Sequence, residues 1–229
     1  MKEIFKNIII PNNIKKIKID IGLSYNAPVT QKLLEHDDDV FVFGFEPNPE
    51  SVNTIINQDK DYGFPVRLNP KYLKENRCYI LPIALSDVEK EQQMDFYICD
   101  NDPGCSSIFS PHDSRIKIKN KIQVPVFSLF HFFNIFDWNR FNYIEWLKID
   151  AQGSDEKIIK GAKEFVKNIA YITVEADGNQ YSNCECSINN IEKFLKKYDF
   201  IRVQNKNLSD PTFFNLNFKE LENKVYMWQ

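Results

Sequence analysis

Acidic residues stand at the ends of two apolar segments near the start of the chain. Asp20 lies in the apolar-alternating segment 17–21 and is followed by Gly22, and Glu46 follows the apolar run 40–45, 26 positions later. In a βαβ unit, an acid after the second strand typically accepts hydrogen bonds from both hydroxyls of an adenosine ribose. The position of Glu46 therefore indicates an adenosine-bearing cofactor, without specifying which one.

Further acids follow other apolar segments of the chain. Asp87 comes after Ser86, and Asp150 and Glu175 end two later segments. The carboxyl ends of parallel strands meet at one edge of a sheet, where ligands of open α/β folds bind, so these acids are expected to surround one site. One such acid alone is weak support because Asp and Glu often cap the next helix. Their repetition at successive strand ends is the stronger signal.

The glycine pattern narrows the choice of cofactor. A dinucleotide-binding fold would carry G-x-G-x-x-G after the first strand, so that the backbone can approach a pyrophosphate. Here only Gly22 is present, and Ser24 and Asn26 stand in the turn that follows. Asn26 is the best non-glycine candidate for a positive φ in this turn. S-adenosylmethionine has no phosphate and needs one close backbone approach, so the pattern favours it over NAD.

Alternating strand and helix signals must position these acids. Such alternation favours a largely parallel sheet covered by helices, which is an α/β fold. In the first half of the chain, strands are predicted at 15–21, 40–45 and 79–85, and helices at 28–36 and from the Asn48 cap and Pro49 to about 58. Residues 88–126 do not have a helical pattern; strands at 94–98 and 122–126 flank a polar loop, which predicts a β insertion beside the main sheet.

The second half continues the alternation. A buried helical face is predicted at Leu129, Phe132, Phe133 and Phe136 because of their i, i+3, i+4, i+7 spacing. Strands are predicted at 143–149, 169–174, 200–204 and 224–228, the last two as an antiparallel pair, with helices capped by Ser154 and Ser187.

Composition excludes several classes of protein. At 229 residues with 43% hydrophobic content, a single domain over 1–229 is expected. A net charge of −3 gives no reason to expect nucleic acid or an anionic membrane as a partner. No stretch approaches the ~20 apolar residues of a membrane span. Five cysteines, an odd number, are typical of reduced thiols and predict a cytoplasmic protein.

Seven segments of the chain resemble the FkbM-type S-adenosylmethionine-dependent methyltransferases. The resemblance covers roughly residues 17 to 205, and its most specific segment begins at Leu147. The segments are IDIGLSYNA (19–27), FGFEPNPES (43–51), LPIALSD (81–87), CSSIF (105–109), VPVFSL (124–129), LKIDAQGSDEKIIKGA (147–162) and ITVEADG (172–178). The resemblance implies a three-layer, Rossmann-like methyltransferase fold with a mostly parallel seven-stranded sheet whose last strand is antiparallel. It also implies S-adenosylmethionine as cofactor and, usually, O-methylation.

The resemblance also implies roles for the matching residues. Two positions depart from the family's pattern: Asn26 stands where a further glycine is usual, and Gln152 where Glu is more common. The implied roles are the amino-acid moiety and first turn of the donor for Asp20 and Gly22, the ribose for Glu46, the adenine ring for Pro47 and Asn48, the adenine amine for Ser86 and Asp87, and the transferring methyl group for Asp150.

Methyl transfer from a sulfonium is an in-line displacement, so alignment supplies most of the rate. A hydroxyl acceptor still has to lose its proton, which a nearby base assists. Asp150 is the first candidate for this base and Glu175 the second. Alternatively, Asp150 only orients the donor or caps the following helix. His112 could reach over the site as a base, although a solvated loop histidine is the simpler interpretation.

Other patterns carry less chemistry. Asp150, Glu175 and Asp177 could together bind a divalent cation, but solvated loop acids explain the pattern as well, and no metal is predicted. Cys184 and Cys186 lack the further ligands of a metal site. The turn at 102–107 is a candidate acceptor-binding loop because it lies in the insertion.

The sequence thus predicts a methyltransferase that acts on a hydroxyl of a small molecule or glycan. One alternative is a catalytically inactive binding or scaffold protein of the same fold, suggested by the short glycine motif and Gln152. Another is an NAD-dependent oxidoreductase, which the missing glycines disfavour. The sequence gives no indication of the oligomeric state.

Overall fold

Ten strands form two sheets in the computed structural model, which describes residues 8–58, 63, 65–100, 102–176, 180–182, 184, 186–203 and 210–221. The strands are β1 (Lys16–Ile21), β2 (Val40–Phe45), β3 (Cys78–Leu81), β4 (Ala84–Leu85), β5 (Gln92–Cys99), β6 (Ile118–Phe127), β7 (Ile144–Ile149), β8 (Ile169–Val174), β9 (Phe200–Val203) and β10 (Thr212–Asn215).

The main sheet has seven strands in the order β3-β2-β1-β7-β8-β10-β9. Neighbouring pairs from β3 to β8 are parallel, whereas β10 is antiparallel to both β8 and β9. The chain begins in the middle, winds outward through β2 and β3, and then continues on the other side of β1 with β7. The switch point between β1 and β7 is where ligands of such sheets bind. The predicted Rossmann-like fold with an antiparallel last strand is confirmed.

Helices cover both faces of this sheet. They are α1 (Pro28–His36), α2 (Pro49–Asn57), α3 (Lys71–Lys74), α4 (Leu129–Ile135), α5 (Asp155–Lys160) and α6 (Ile188–Leu195). Asn48 caps α2 as predicted, with its Oδ1 accepting from the Glu50 N–H at 3.0 Å. The predicted caps Ser154 and Ser187 precede α5 and α6, but neither side chain makes a capping hydrogen bond.

The core consists of two apolar layers, one on each face. Because side chains alternate along a strand, β2 sends Phe41, Phe43 and Phe45 to one face and Val40 and Val42 to the other. The aromatic layer packs on α4, where the ring of Phe132 meets those of Phe43 and Phe45 edge-on at 5.1 and 5.4 Å. A strand buried on both faces explains the uninterrupted apolar run that predicted β2.

The smaller sheet forms the predicted insertion. It has the order β4-β6-β5, with β5 and β6 antiparallel and β4 parallel to β6. The strand predicted at 79–85 is therefore divided: β3 belongs to the main sheet, while β4 leaves it and joins the insertion. The chain turns at Pro82, where the Ile83 N–H donates to the Leu81 carbonyl at 2.9 Å. Proline has no N–H to donate to a ladder, so it suits this break.

The end of the described chain contains a strand that was not predicted. The strand predicted at 200–204 is β9, and it pairs with the unpredicted β10. The strand predicted at 224–228 lies outside the described residues. Within the described residues, no helix is long and apolar enough to cross a membrane.

Candidate active site

A cavity of about 550 Å³ opens at the carboxyl ends of β1, β2, β7 and β8. Its volume lies in the range of small-molecule sites. The insertion loop 102–108 forms the opposite wall, and residues 83–85 with Phe96 supply an apolar side. The switch point of the main sheet thus coincides with a cavity that two separate sheets enclose.

The structure brings most of the predicted site residues together. Those that line the cavity are Gly22, Ser24, Asn26, Glu46, Pro47, Asp150 and Glu175. Those that do not line it are Asp20, Asn48, Ser86, Asp87 and His112. The roles of both groups stay predictions, but only the first group surrounds the cavity.

Asp20 lies one layer beneath the cavity. Its side chain is buried, and its Oδ2 accepts a hydrogen bond from the Thr30 hydroxyl at 2.7 Å. Burial raises the pKa of Asp20 to about 6, although Lys148 and Thr30 act in the opposite direction. Asp20 therefore contributes to the site through α1, which carries Thr30, and through the local charge.

Gly22 is required because the ends of the neighbouring strands β1 and β7 approach each other closely at this position. It has φ +83°, and a Cβ at this position would lie 1.8 Å from the carbonyl oxygen of Asp150. The Asp150 N–H donates to the Ile21 carbonyl at 2.9 Å, which holds the two ends together. A side chain at position 22 would force the ends of β1 and β7 apart at the point where the cavity begins.

The turn after Gly22 has a different conformation from the one expected. Asn26 is not among the residues with positive φ; Ser24 (+57°) and Ala27 (+48°) are, so that prediction was wrong. The Asn26 side chain donates to the Val66 carbonyl at 2.6 Å. Its backbone carbonyl accepts from the Leu68 N–H at 2.8 Å. Asn26 thus fixes the segment 65–68 beside the cavity instead of relieving backbone strain.

Glu46 lies at the end of β2 and is 5% exposed. Its Oε1 accepts from the Asn48 N–H at 2.8 Å. Burial raises the pKa of Glu46 to about 8, against the effect of the Asn48 and Ser24 N–H groups. The Asn48 side chain is buried and its Oδ1 accepts in the cap of α2, so the hydrogen bond to Glu46 comes from the Asn48 backbone N–H.

Ser86 and Asp87 lie away from the cavity, against the end of α5. The Ser86 carbonyl would be 2.4 Å from a Cβ at Gly161, and the Ser86 hydroxyl is 3.3 Å from the Asp87 carboxylate. The residues just before them, 83–85, line the cavity instead. The segment 81–87 therefore reaches the cavity through its apolar residues 83–85 and not through Ser86 and Asp87.

Asp150 and Glu175 form the chemical centre of the cavity. The Nε2 of Gln152 lies 2.9 Å from Asp150 Oδ1 and 2.9 Å from Glu175 Oε2. Lys148 Nζ lies 3.2 Å from Asp150 Oδ2. Although burial opposes it, Lys148 and the hydrogen bonds from Glu175 and Gln152 lower the pKa of Asp150. Burial and the adjacent Asp150 raise the pKa of Glu175.

The insertion loop contacts this centre directly. The Ser107 hydroxyl donates to the Gln152 carbonyl at 2.8 Å. The Tyr181 hydroxyl lies 2.7 Å from Gln152 Oε1 and 2.9 Å from the Cys105 carbonyl. The predicted acceptor loop 102–107 therefore does line the cavity, and Gln152 connects it to the acids.

His112 lies at the edge of this arrangement. Its backbone N–H donates to the Gln180 carbonyl at 3.0 Å, and the neighbouring Pro111 forms a β-bridge with Tyr181. The described contact of His112 is thus made by its backbone, and its side chain does not line the cavity.

A comparison with known families agrees with this geometry. The Methyltransferase FkbM domain matches residues 20–202 of the chain, from Asp20 on β1 to Arg202 on β9. The chain belongs to this family. The protein is therefore an FkbM methyltransferase, as the resemblance of its segments indicated, and the matched range includes every acid around the cavity. A comparison with curated proteins found no match.

Asp155 is a residue of this FkbM methyltransferase that sequence reasoning placed only as a first-turn acid. Its Oδ1 accepts from the Ala151 N–H at 3.0 Å, and its Oδ2 from the Glu175 and Ala176 N–H groups, both at 3.1 Å. It therefore ties the end of β7 to the end of β8 and sets the spacing of Asp150 and Glu175. The acid directly after a cap-like serine was the only signal for it.

Backbone strain concentrates around the cavity of the methyltransferase. Eight described non-glycine residues have positive φ, and four of them, Ser24, Ala27, Gln152 and Ala176, lie in the three loops after β1, β7 and β8. Such conformations cost of order 1–3 kcal/mol each and persist where the surroundings enforce them, typically at functional sites.

Thiols and possible metal ligands complete the description of the site. All five cysteines are free thiols, and the Cys184 thiol lies 3.0 Å from the Gly153 carbonyl. Asp177, considered as a third metal ligand with Asp150 and Glu175, lies outside the described residues. In the part of the chain that the structure describes, no group of three or more His, Cys, Asp or Glu residues could hold a metal ion.

Proposed function

We propose that this FkbM methyltransferase transfers the methyl group of S-adenosylmethionine to a hydroxyl group of a small molecule or glycan. The observation that carries the proposal is the placement of Glu46 and the Asp150–Glu175 pair on the walls of one cavity at the switch point of the sheet. We also infer a cytoplasmic location, from the free thiols. Neither nucleic acid nor a membrane is part of the proposal.

The residues around the cavity fit this donor. Glu46 would accept hydrogen bonds from the ribose hydroxyls, and Pro47, Ile83 and Leu85 would offer apolar contacts to the adenine. The donor carries positive charge on its sulfur and its amino group, which suits the negative charge of Asp150. The described residues that line the cavity include no Lys or Arg to neutralise a pyrophosphate, so the electrostatics disfavour NAD.

The acceptor would enter from the side of the insertion loop. S-adenosylmethionine supplies a methyl group on a sulfonium sulfur, which an oxygen nucleophile displaces in line. The acceptor hydroxyl must lose its proton as it attacks, and Asp150 or Glu175 would take it. Ser106, Ser107 and Gln180 on the opposite wall offer the hydrogen-bonding groups that orient a polyhydroxylated molecule.

Calorimetry with S-adenosylhomocysteine tests the donor site. Binding is expected in the wild type, with Glu46→Ala weakening it by about 10–100-fold because a charged hydrogen bond contributes roughly 1.5–3 kcal/mol. Asp20→Ala should also weaken it. Asp95→Ala, on the exposed face of the insertion, serves as control and should leave the affinity unchanged. Absence of binding at millimolar ligand would remove the proposal.

An assay of product formation separates the enzyme from an inactive binding protein of the same fold. Incubation of S-adenosylmethionine with a library of hydroxyl-bearing sugars and small molecules should yield S-adenosylhomocysteine with the wild type and far less with Asp150→Asn. Donor binding without product from any acceptor would favour the inactive alternative. A thermal shift with NAD, and none with S-adenosylhomocysteine, would favour an oxidoreductase instead.

A further inference from the structure

Gln152 occupies the junction between the two acids and the insertion loop. Its amide nitrogen donates to Asp150 and Glu175 at once, its amide oxygen accepts from Tyr181, and its backbone carbonyl accepts from Ser107. All its side-chain polar atoms are therefore engaged, and each bond reaches a different part of the site.

Resting on the proposed function, we propose that Gln152 is a positioning residue that holds Asp150 and Glu175 as a carboxyl pair with one shared proton and presents Asp150 as the base for the acceptor hydroxyl. In this step the acceptor O–H bond breaks and its proton moves to Asp150. The oxygen keeps the electron pair and forms its new bond to the methyl carbon, while the pair of the broken S–C bond stays on sulfur.

A neutral donor fits the space between the acids. An amide NH₂ group has two hydrogens and no charge, so it can donate to one oxygen of each carboxyl group. Both distances are 2.9 Å, which means that neither acid is favoured by proximity to Gln152. A carboxylate at position 152 would instead place a third negative charge in the same space, at a cost that low dielectric increases.

Lys148 decides which of the two acids is ionised. Its Nζ lies 3.2 Å from Asp150 Oδ2, and its side chain is buried beneath the cavity. Because Lys148 contacts Asp150 rather than Glu175, the negative charge is more stable on Asp150. The direction of the pKa shifts, downward for Asp150 and upward for Glu175, agrees with this asymmetry.

Other titratable groups surround the pair without altering this asymmetry. The neighbouring acids destabilise a second negative charge, which supports a single shared proton. The groups that face the pair from other elements are Asp20 on β1, Glu46 after β2, Asp155 on α5, and Cys105 and Tyr181 in the loops, while Asp210 before β10 faces Lys148.

The conformation of Gln152 is held from both sides. Its φ is +49°, and Gly153 follows with φ +94°. Ser107 and Tyr181 anchor its carbonyl and its amide oxygen to the wall that would face the acceptor. A change in the insertion loop would therefore move the amide between the acids, which couples the acceptor wall to the base.

The test begins with the unliganded wild-type protein. Carboxyl ¹³C NMR between pH 4 and pH 10 should show two carboxyl groups that keep their protons above pH 7, those of Glu46 and Glu175, and one of the two signals should be absent in Glu175→Gln. In Gln152→Met, which removes the amide but keeps a side chain of similar length, the titration of Glu175 should move by about one pH unit. The titration needs no methyl transfer, so it decides on the pair even if the proposed function fails.

The same variant is then assayed for methyl transfer. Loss of a donor raises the pKa of Asp150, so the acidic limb of kcat/KM against pH should move upward by about one unit, with a loss of up to about tenfold on that limb. The affinity for S-adenosylhomocysteine should change less than about threefold. Gln123→Met is the matched control, since the Gln123 amide also donates to a carboxylate, that of Asp95, but on the exposed face of the insertion.

Three results would overturn the proposal. They are ordinary titration of Glu175 near its model-peptide range, an unmoved pH profile in Gln152→Met, and equal effects in Gln152→Met and Gln123→Met. If Gln152→Met does not fold, Gln152→Glu provides the second variant, and it should retain an additional proton near neutral pH. Product formation that is absent in the wild type, with the carboxyl titration as expected, would count against the proposed function alone.

Discussion

Buried charges lie at both ends of the parallel strands, but they are arranged in different ways. At the amino end, Lys16 and Lys18 on β1 meet the acids Asp37 and Glu145. Lys16 Nζ lies 2.9 Å from Asp37, and Lys18 Nζ lies 3.2 Å from Glu145 and 3.7 Å from Asp37. The two cations share Asp37, and each also contacts a second acid, Asp39 for Lys16 and Glu145 for Lys18.

At the carboxyl end, acids outnumber cations. Among the described residues, Lys148 is the cation in contact with Asp150, while Asp20, Glu46 and Glu175 add further carboxyl groups. Burial raises the pKa of each of these three acids. Glu46, Asp150 and Glu175 line a cavity, with Asp20 beneath it, instead of facing a matching set of cations.

The difference teaches how to distinguish structural from functional buried charge. Paired ions are costly to break but add no reactivity, since each partner satisfies the other. Where buried groups of one charge sign exceed the other beside a cavity, a ligand of opposite charge can stabilise them. Acids with shifted pKa values therefore mark binding and catalytic sites. Both ends use the same strands, so the contrast lies in the balance of charge and not in the fold.

The largest expected effect concerns the backbone at the carboxyl end. Gly22→Ala should destabilise the protein by more than about 4 kcal/mol or prevent folding, because its Cβ would lie 1.8 Å from the Asp150 carbonyl at a positive φ. Gly63→Ala is the matched control: Gly63 has φ +75°, but a Cβ there meets no described atom within 4 Å. It should cost only about 1 kcal/mol.

Thermal unfolding followed by circular dichroism measures both variants. Similar losses of stability in Gly22→Ala and Gly63→Ala would mean that positive φ alone matters. The close approach of β1 and β7 would then not constrain the site.

The next effect separates stability from activity at the two ends. Glu145→Ala leaves Lys18 buried without its nearest acid, so the free energy of unfolding should fall by about 3 kcal/mol, or roughly 6–12 °C in Tm. Below the melting range, methyl transfer should stay near the wild-type rate. Asp150→Asn should do the reverse, with a Tm near that of the wild type and a rate lower by about 10²–10⁴-fold.

Calorimetric unfolding and the product assay on the same preparations provide the two measurements. Equal losses of activity in Glu145→Ala and Asp150→Asn would show that the amino and carboxyl ends of the strands do not differ in function.

The smallest effect is a pH dependence of stability. The pKa of Glu175 is raised to about 9 by burial and by Asp150, so its favourable contribution is complete below its unfolded pKa and is lost as the pH rises towards 9. Glu175→Gln mimics the protonated acid. As the pH rises from 5 to 8, the free energy of unfolding of Glu175→Gln should therefore increase relative to that of the wild type by at least about 1 kcal/mol, or roughly 2–4 °C in Tm.

Glu192→Gln is the control for this prediction. Lys196 Nζ lies 2.8 Å from the Glu192 carboxylate, and this contact lowers the pKa of Glu192, opposite to the shift of Glu175. The difference in Tm between Glu192→Gln and the wild type should thus stay flat from pH 5 to pH 8. If the difference in Tm between Glu175→Gln and the wild type does not change with pH, ionisation of Glu175 does not destabilise the folded protein.

Local patterns were sufficient to predict most of the fold. The apolar run of β2, the Asn48 cap with Pro49, and the alternating strands of the insertion depend on neighbours in sequence, and all were confirmed. The gathering of Glu46, Asp150 and Glu175 followed from one topological rule about strand ends.

Long-range contacts account for what the sequence did not predict. The division at Pro82 depends on pairing of β4 with a strand some 40 residues away, and the conformation of the Asn26 turn depends on the segment 65–68. Gln152 stood out only as a departure from the expected Glu. Its four hydrogen bonds reach residues from position 107 to position 181, which no local window includes.

The departure of β4 from the main sheet has a consequence for how such a protein can diversify. Because the smaller sheet is hydrogen-bonded within itself, its tip at 102–117 can accept new side chains while the seven-stranded platform keeps its register. Under the proposed function, selection for a new acceptor would thus remodel this appendage, within the limit that Ser107 and Tyr181 keep their hydrogen bonds to Gln152.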